Sequence, residues 1–243
     1  MSGKIGSITT DIIKNGLVFN VDAANRASYV NGNTETFNTT NLSQSGSIIQ
    51  AVFDSTFIAW DFDGVDDRIQ ISNTTNLRPT ETELNSNGYT YSVWLNLDSV
   101  SGHQGIFNND SYGQTTYYGL GGQMYNDEFY MQKFDGGGTG AGDRSGANTS
   151  GIFSTGTWTC ITAVYVNATN TNFKIYKDGI SQSTSTSGTG GSVGYSSTLN
   201  ASIGADRSNY LNGKIANVHI YNRALSSTEV LHNYNALKGR FGL

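Results

Sequence analysis

Asp61, Asp63, Asp66 and Asp67 fall within seven residues of one another, beside Gly64, in the segment WDFDGVDDRIQI. Calcium takes roughly six to eight oxygen ligands, mostly carboxylate and carbonyl, and a turn this dense in aspartate can supply them. Asp22, at the end of the first predicted strand, is the remote partner such a site would recruit. The spacing is not that of a helix–loop–helix calcium loop, which needs glycine at its sixth position and a distal glutamate. A hairpin turn is the other reading, because Asp bonds its own backbone and tolerates left-handed conformations. Calcium is the one cofactor the sequence offers.

Tyr112, Tyr117, Tyr118, Tyr125 and Tyr130 crowd the stretch from Asp110 to Met131, among Asn, Gln and Asp. Sugar recognition needs flat faces to stack on and polar side chains for hydroxyls, and tyrosine offers both at small entropic cost. These residues are the candidates for glycan or partner contact; cross-strand aromatic packing is the alternative. Hydrolysis of a glycosidic bond needs two carboxylates about 5–9 Å apart. The five glutamates show no E-x-D-x-x-E arrangement. Glu81 and Glu83 follow Pro79 in a segment that reads as loop, and Glu128 adjoins Asp127, where neighbouring residues face opposite ways. His103, His219 and His232 are scattered, with no Ser or Cys in a motif. Cys160 excludes an internal disulfide and, inside the apolar CITAVYV, reads as a buried structural thiol. No catalytic residue is predicted.

Charged residues are 14% of the 243 and the net charge is -5, without a basic cluster. Nucleic-acid binding lacks its electrostatic footprint. No apolar run approaches a membrane span, and MSGKIGSITTDIIKNG has no apolar signal-peptide core. Aromatics at 12% are too many for disorder, and 30 glycines suit short strands joined by polar turns.

Period-two alternation is clearest from Thr90 to Asp98. There Tyr89, Tyr91, Val93, Leu95 and Leu97 share one face, with Thr90, Ser92, Trp94 and Asn96 on the other. Further strands are predicted over Ile12–Val21, within Ile106–Met131, and over Trp158–Val166, Phe173–Ser183, Leu199–Gly204 and Gly213–Tyr221. Asp178-Gly179 makes a hairpin turn. Phe134–Gly151 and Thr184–Ser197 read as long Gly/Ser/Thr loops. One helix closes the chain: Ser226 and Glu229 form a capping box, Val230, Leu231, Tyr234 and Leu237 follow at helical spacing, and Gly239 stands where a left-handed stop belongs.

Several segments, in order, resemble laminin-G-like, concanavalin A-like jelly-roll domains: GLVFNVDAANRASY, WDFDGVDDRIQI, YTYSVWLNL, TGTWTCITAVYVNATNTNFKIYKDG and GKIANVHIYNRALS. The ending NALKGRFGL is similar to copies in structural proteins of tailed bacterial viruses. The resemblance implies an all-β, two-sheet antiparallel jelly-roll sandwich over residues 16–243 with one short C-terminal helix, preceded by an arm at 1–15. It implies a non-enzymatic virion structural protein, decorating a capsid or tail fibre and made in the host cytoplasm. Such a protein would act by assembly with other virion proteins and with itself as a homo-oligomer, and would bind host surface glycan. The alternatives are a lectin outside a virion and, more distantly, a glycan hydrolase. Neither nucleic acid nor membrane is an expected partner. The family often carries acidic residues in its closing strand, where this chain has Ala216 and Asn217.

Overall fold

The computed structural model describes residues 11–72, 74–109, 118–136, 144–166, 173–187, 191–196 and 200–243. In chain order the strands are β1 (Leu17–Asp22), β2 (Glu35–Phe37), β3 (Ser45–Ile49), β4 (Val52–Asp54), β5 (Ala59–Asp63), β6 (Arg68–Ile71), β7 (Tyr89–Leu97), β8 (His103–Asn108), β9 (Tyr118–Tyr125), β10 (Glu128–Asp135), β11 (Arg144–Ser150), β12 (Trp158–Tyr165), β13 (Phe173–Lys177), β14 (Ile180–Ser181), β15 (Ser185–Ser187), β16 (Ala201–Ile203), β17 (Ala205–Asp206), β18 (Asn209–Tyr210) and β19 (Asn212–Tyr221). Among the described residues two α-helices accompany them, α1 (Glu81–Asn87) and α2 (Ser227–Leu237).

Two large antiparallel sheets stack as a jelly-roll sandwich. Sheet A runs β14-β13-β12-β7-β19-β5-β4, and sheet B runs β15-β11-β10-β9-β8-β16-β6-β3-β2. The long closing strand β19 gives its first half to β5 and its second half to β1, so one strand ties three neighbours including β7. A bulge lets Ala216 and Asn217 together oppose Trp94. Ile215, Val218 and Ile220 therefore face the main core, while Ala216 joins Trp94 and Cys160 on the opposite face. The sequence pattern places Ala216 with Val218; the extra residue of the bulge is what turns it over.

The apolar face of β7 behaves as its alternation predicts, with Tyr91, Val93 and Leu95 in the core between the sheets. All nine of its residues are buried, however. The second face is covered by α2 and the segment after it, as Trp94 stacks on Tyr234 (5.6 Å) and Phe241 (4.1 Å). The α2 capping box forms as expected, with Ser226 accepting from the Glu229 N–H and Glu229 accepting from the Ser226 N–H. The helix does not stop at Gly239. It tightens into a 3-10 turn over Lys238–Phe241, and the left-handed residue is Gly242, φ 74°. That extra turn is what carries Phe241 onto Trp94 and Trp158.

Three segments read as loop are ordered elements. Glu81 and Glu83 begin α1, capped by a second box in which Thr80 and Glu83 bond each other's backbone N–H groups. All of the 144–150 stretch is β11, in seven-residue register with β10. Ser185–Ser187 forms β15 on the edge of β11. Their Ser/Gly/Asn composition carries little intrinsic strand preference; pairing to an established neighbour supplies it.

Candidate functional site

On β10, Phe129 and Met131 point into the core, so Glu128, Tyr130 and Gln132 project from the outer face of sheet B. Register then fixes their neighbours. Tyr130 lies between Gln123 of β9 and Asn148 of β11, and Glu128 between Tyr125 and Ser150. Sheet A has its outer face covered by α2; this face of sheet B is met by the short β17–β18 hairpin, which crosses β8 at Gly105. A Cβ at Gly105 would stand 1.9 Å from the Asp206 nitrogen, so no other residue lets the hairpin sit there.

The side chains of this face form a polar network. Tyr130 Oη and Asn148 Nδ2 both donate to the Glu128 carboxylate, one to each oxygen. Gln123 Nε2 donates to Gln132 Oε1 at 2.8 Å, and Gln123 Oε1 meets His103 Nε2 at 2.8 Å. His103 lies 3.8 Å from Asp206, which pairs with Arg207 at 2.6 Å and accepts from Asn108 Nδ2 at 3.3 Å. Tyr125, 52% exposed, stands edge-on to the His103 ring. Where the sheet edge meets the β14–β15 connection lies a cleft of about 390 Å³, lined by Glu128, Asn148, Thr149, Ser150 and residues 182–185. Amides, hydroxyls, one carboxylate and an exposed ring are the chemistry that matches sugar hydroxyls and apolar sugar faces.

Of the predicted tyrosines, Tyr125 and Tyr130 share this face. Tyr118 belongs to the other parity of β9, with Leu120 and Met124, and its ring lies against Gly136. Tyr112 and Tyr117 lie outside the described residues. Glu128 and His103 enter the sequence reading only as catalytic candidates that are set aside, and Gln123, Gln132 and Asn148 do not stand out in it. Their one signal is the alternation Glu128-Phe-Tyr-Met-Gln132, polar positions against apolar ones.

The aspartates divide. Asp63, Asp66 and Asp67 bring one carboxylate oxygen each within 4.8 Å of one another. Asp22 instead pairs with Arg240 at 2.6 Å, and Asp61 pairs with Lys214 at 3.1 Å. Within the turn, Asp63 Oδ1 accepts from the Val65 N–H and Asp67 Oδ2 from the Asp63 N–H, the local bonds of an aspartate turn. Burial, followed by the neighbouring carboxylates, raises the Asp67 carboxyl above its ordinary value. The three have the oxygen chemistry of a calcium site.

The remaining titratable candidates serve the fold. Glu81 holds the buried Lys133 at 2.8 Å and accepts from the Val193 N–H. Burial pushes the Cys160 thiol up to about 12, where it is unreactive. His219 is buried beneath the C-terminal segment, and burial lowers it to about 4.

Among curated proteins none matches the chain in sequence. Solved structures match it in fold. The botulinum neurotoxin serotype D binding domain superposes with TM-score 0.60 at 12% identity over 90% of this chain and 51% of that one. The sialidase of Trypanosoma rangeli in complex with sialic acid gives TM-score 0.59 at 16% identity, over 95% of this chain and 34% of that one. The chain thus spans about half of the first and a third of the second, and the likeness is one of fold. A family model described as the concanavalin A-like lectin/glucanases superfamily matches residues 63–231, which span β5 to α2. The chain belongs to the laminin-G branch of the concanavalin A-like lectin/glucanases superfamily.

Proposed function

We propose that this protein is a non-enzymatic glycan-binding module whose ligand lies on the outer face of sheet B. The observation that carries the reading is the network centred on Glu128, Tyr130 and Gln123, which is held in place before any ligand arrives. A preorganised polar surface loses little side-chain entropy on binding. The neighbours in fold include a neurotoxin binding domain and a sialidase holding sialic acid, which fits a binding role for this architecture. Binding without catalysis is preferred because Glu81 and Glu83 are committed to α1, and Glu128 is held by two donors beside no second described carboxylate in its cleft.

A wider setting in a tailed-virus particle, as a self-assembling decoration or fibre subunit, is supported by the NALKGRFGL resemblance. That segment also has a local task, since Leu237 and Phe241 pack against the Trp94 cluster. Calcium is proposed only as an accessory of the Asp63–Asp66–Asp67 turn.

A glycan array probed with the purified protein tests the reading, together with reducing-sugar release from every glycan bound. Saturable binding without release is the expected result. Release of sugar from a bound glycan would make the protein a hydrolase, and an empty array would remove the glycan reading.

A further inference from the structure

The cleft beside β11 says which glycans the face would take, given the glycan-binding reading above. Its described lining holds a single ionised side chain, Glu128; the other seven residues are Asn, Gln, Ser and Thr. Each Glu128 oxygen already accepts one bond from the protein, Oε2 from Tyr130 and Oε1 from Asn148. A carboxylate has about four acceptor positions, so each oxygen keeps one for an incoming donor. The two protein donors also fix the plane of the carboxylate. A ligand that meets both oxygens at once needs two donors at the spacing of one carboxylate edge. Two adjacent hydroxyls of a sugar ring donate to such an edge together, and hydrogen bonds to a charged acceptor are the strong kind.

The same lining disfavours acidic ligands. A sugar carboxylate, sulfate or phosphate in this cleft would face Glu128 with no described cation lining the cleft to offset it, and like charges brought together out of water repel strongly. Tyr125 adjoins Glu128 across the β9–β10 ladder and offers an exposed ring where the sugar's apolar face would follow. We propose that the Glu128 cleft is the primary sugar subsite and that it takes a neutral sugar through two vicinal hydroxyls donating to the Glu128 carboxylate. Tyr130 and Asn148 are positioning residues for that carboxylate, and Ser150 and Gln182 complete the rim.

The test measures wild type and Glu128→Gln on matched neutral and sialylated or sulfated glycans by array and calorimetry, at low and high salt. Both proteins are first shown to share one melting temperature. The expected result is wild-type binding of neutral glycans that is insensitive to salt, and a loss of about tenfold or more in Glu128→Gln, because one oxygen acceptor becomes a donor. Tyr130→Phe should lose less, since it frees the carboxylate without neutralising it. Wild-type binding that Glu128→Gln leaves unchanged would overturn the subsite while glycan binding stands. Preference for acidic glycans would overturn the neutral-ligand assignment. No binding to any glycan by the wild type would sink the functional reading itself, and this proposal with it.

Discussion

His219 and Glu229 each contribute to the protein's response to acid, in separate windows. His219 lies under the C-terminal segment, with Asp22 of β1 raising its proton affinity and Arg240 lowering it. Burial dominates and holds it at about 4, against an ordinary 6.5. The unfolded chain therefore binds the proton first, so stability is lost as pH falls from 6.5 towards 4. The slope is at most about 1.4 kcal/mol per pH unit. Glu229 acts lower: the Arg223 guanidinium, 2.6 Å away, holds its carboxyl down at about 2, so its contribution fades only below its ordinary 4.5. Melting temperatures between pH 4.5 and 7 should fall with acidification in the wild type and be flatter in His219→Gln; equal slopes would mean that His219 is not the group. Asp67 has the opposite sign. Its raised carboxyl makes the turn less stable once ionised, through burial and through Asp63 and Asp66. Asp66→Asn should raise the melting temperature by about 1–3 °C in chelator. If calcium binds the turn, millimolar calcium will raise the wild type and leave Asp66→Asn where it was; a flat calcium titration of the wild type would reduce the three aspartates to turn geometry.

Among the elements, those specified by local chemistry could be read and those specified by a neighbour could not. The α2 capping box needs only Ser226 and Glu229 three apart, and the Asp178-Gly179 turn needs two residues that accept positive φ, here 52° and 78°. Both are legible. The α1 box has the same grammar, Thr80 with Glu83, but no apolar stripe follows it; Leu84 is its one buried residue. A seven-residue helix with one anchor is held by its cap and by the Glu81–Lys133 pair rather than by amphipathic burial, so periodicity cannot find it. The strand β11 is hidden for the same kind of reason. Ser145, Gly146, Asn148 and Ser150 mark loops when read along the chain, and only the register with Phe129 and Met131 of β10 makes them strand. The site suffers most, because Asn148 reaches Glu128 from twenty residues away in sequence. The fold follows from alternation, whereas the site follows from which strands lie side by side.

At the scale of the whole molecule, residues 11–15 meet the C-terminal helix on one face of the sandwich. Ile13 joins the small cluster of Val164, Tyr176, Tyr221, Leu225 and Val230 that seats α2 on sheet A. Its N–H donates to Asn233 Oδ1 at 2.8 Å, and its carbonyl accepts from Tyr221 Oη at 3.0 Å. Arg223 Nε donates to the Asn15 carbonyl at 2.9 Å. Residues 11–15, the described part of the arm expected over 1–15, thus act as a latch on α2. The latch closes no strand of either sheet, so the sandwich does not depend on it for topology. Removing residues 1–15 strips Ile13 from the cluster and leaves the buried Tyr221 hydroxyl without one of its bonds. Burial of an aliphatic side chain of this size and a lost buried hydrogen bond together are worth about 2–4 kcal/mol. The truncated protein should therefore fold, keep whatever glycan binding the wild type shows on the proposed sheet B face, and melt several degrees lower, with α2 the first segment to exchange its amide hydrogens. Unchanged stability would mean that the latch is not formed in solution. Complete unfolding would mean that the N-terminal segment belongs to the core, and that the sandwich begins earlier than Gly16.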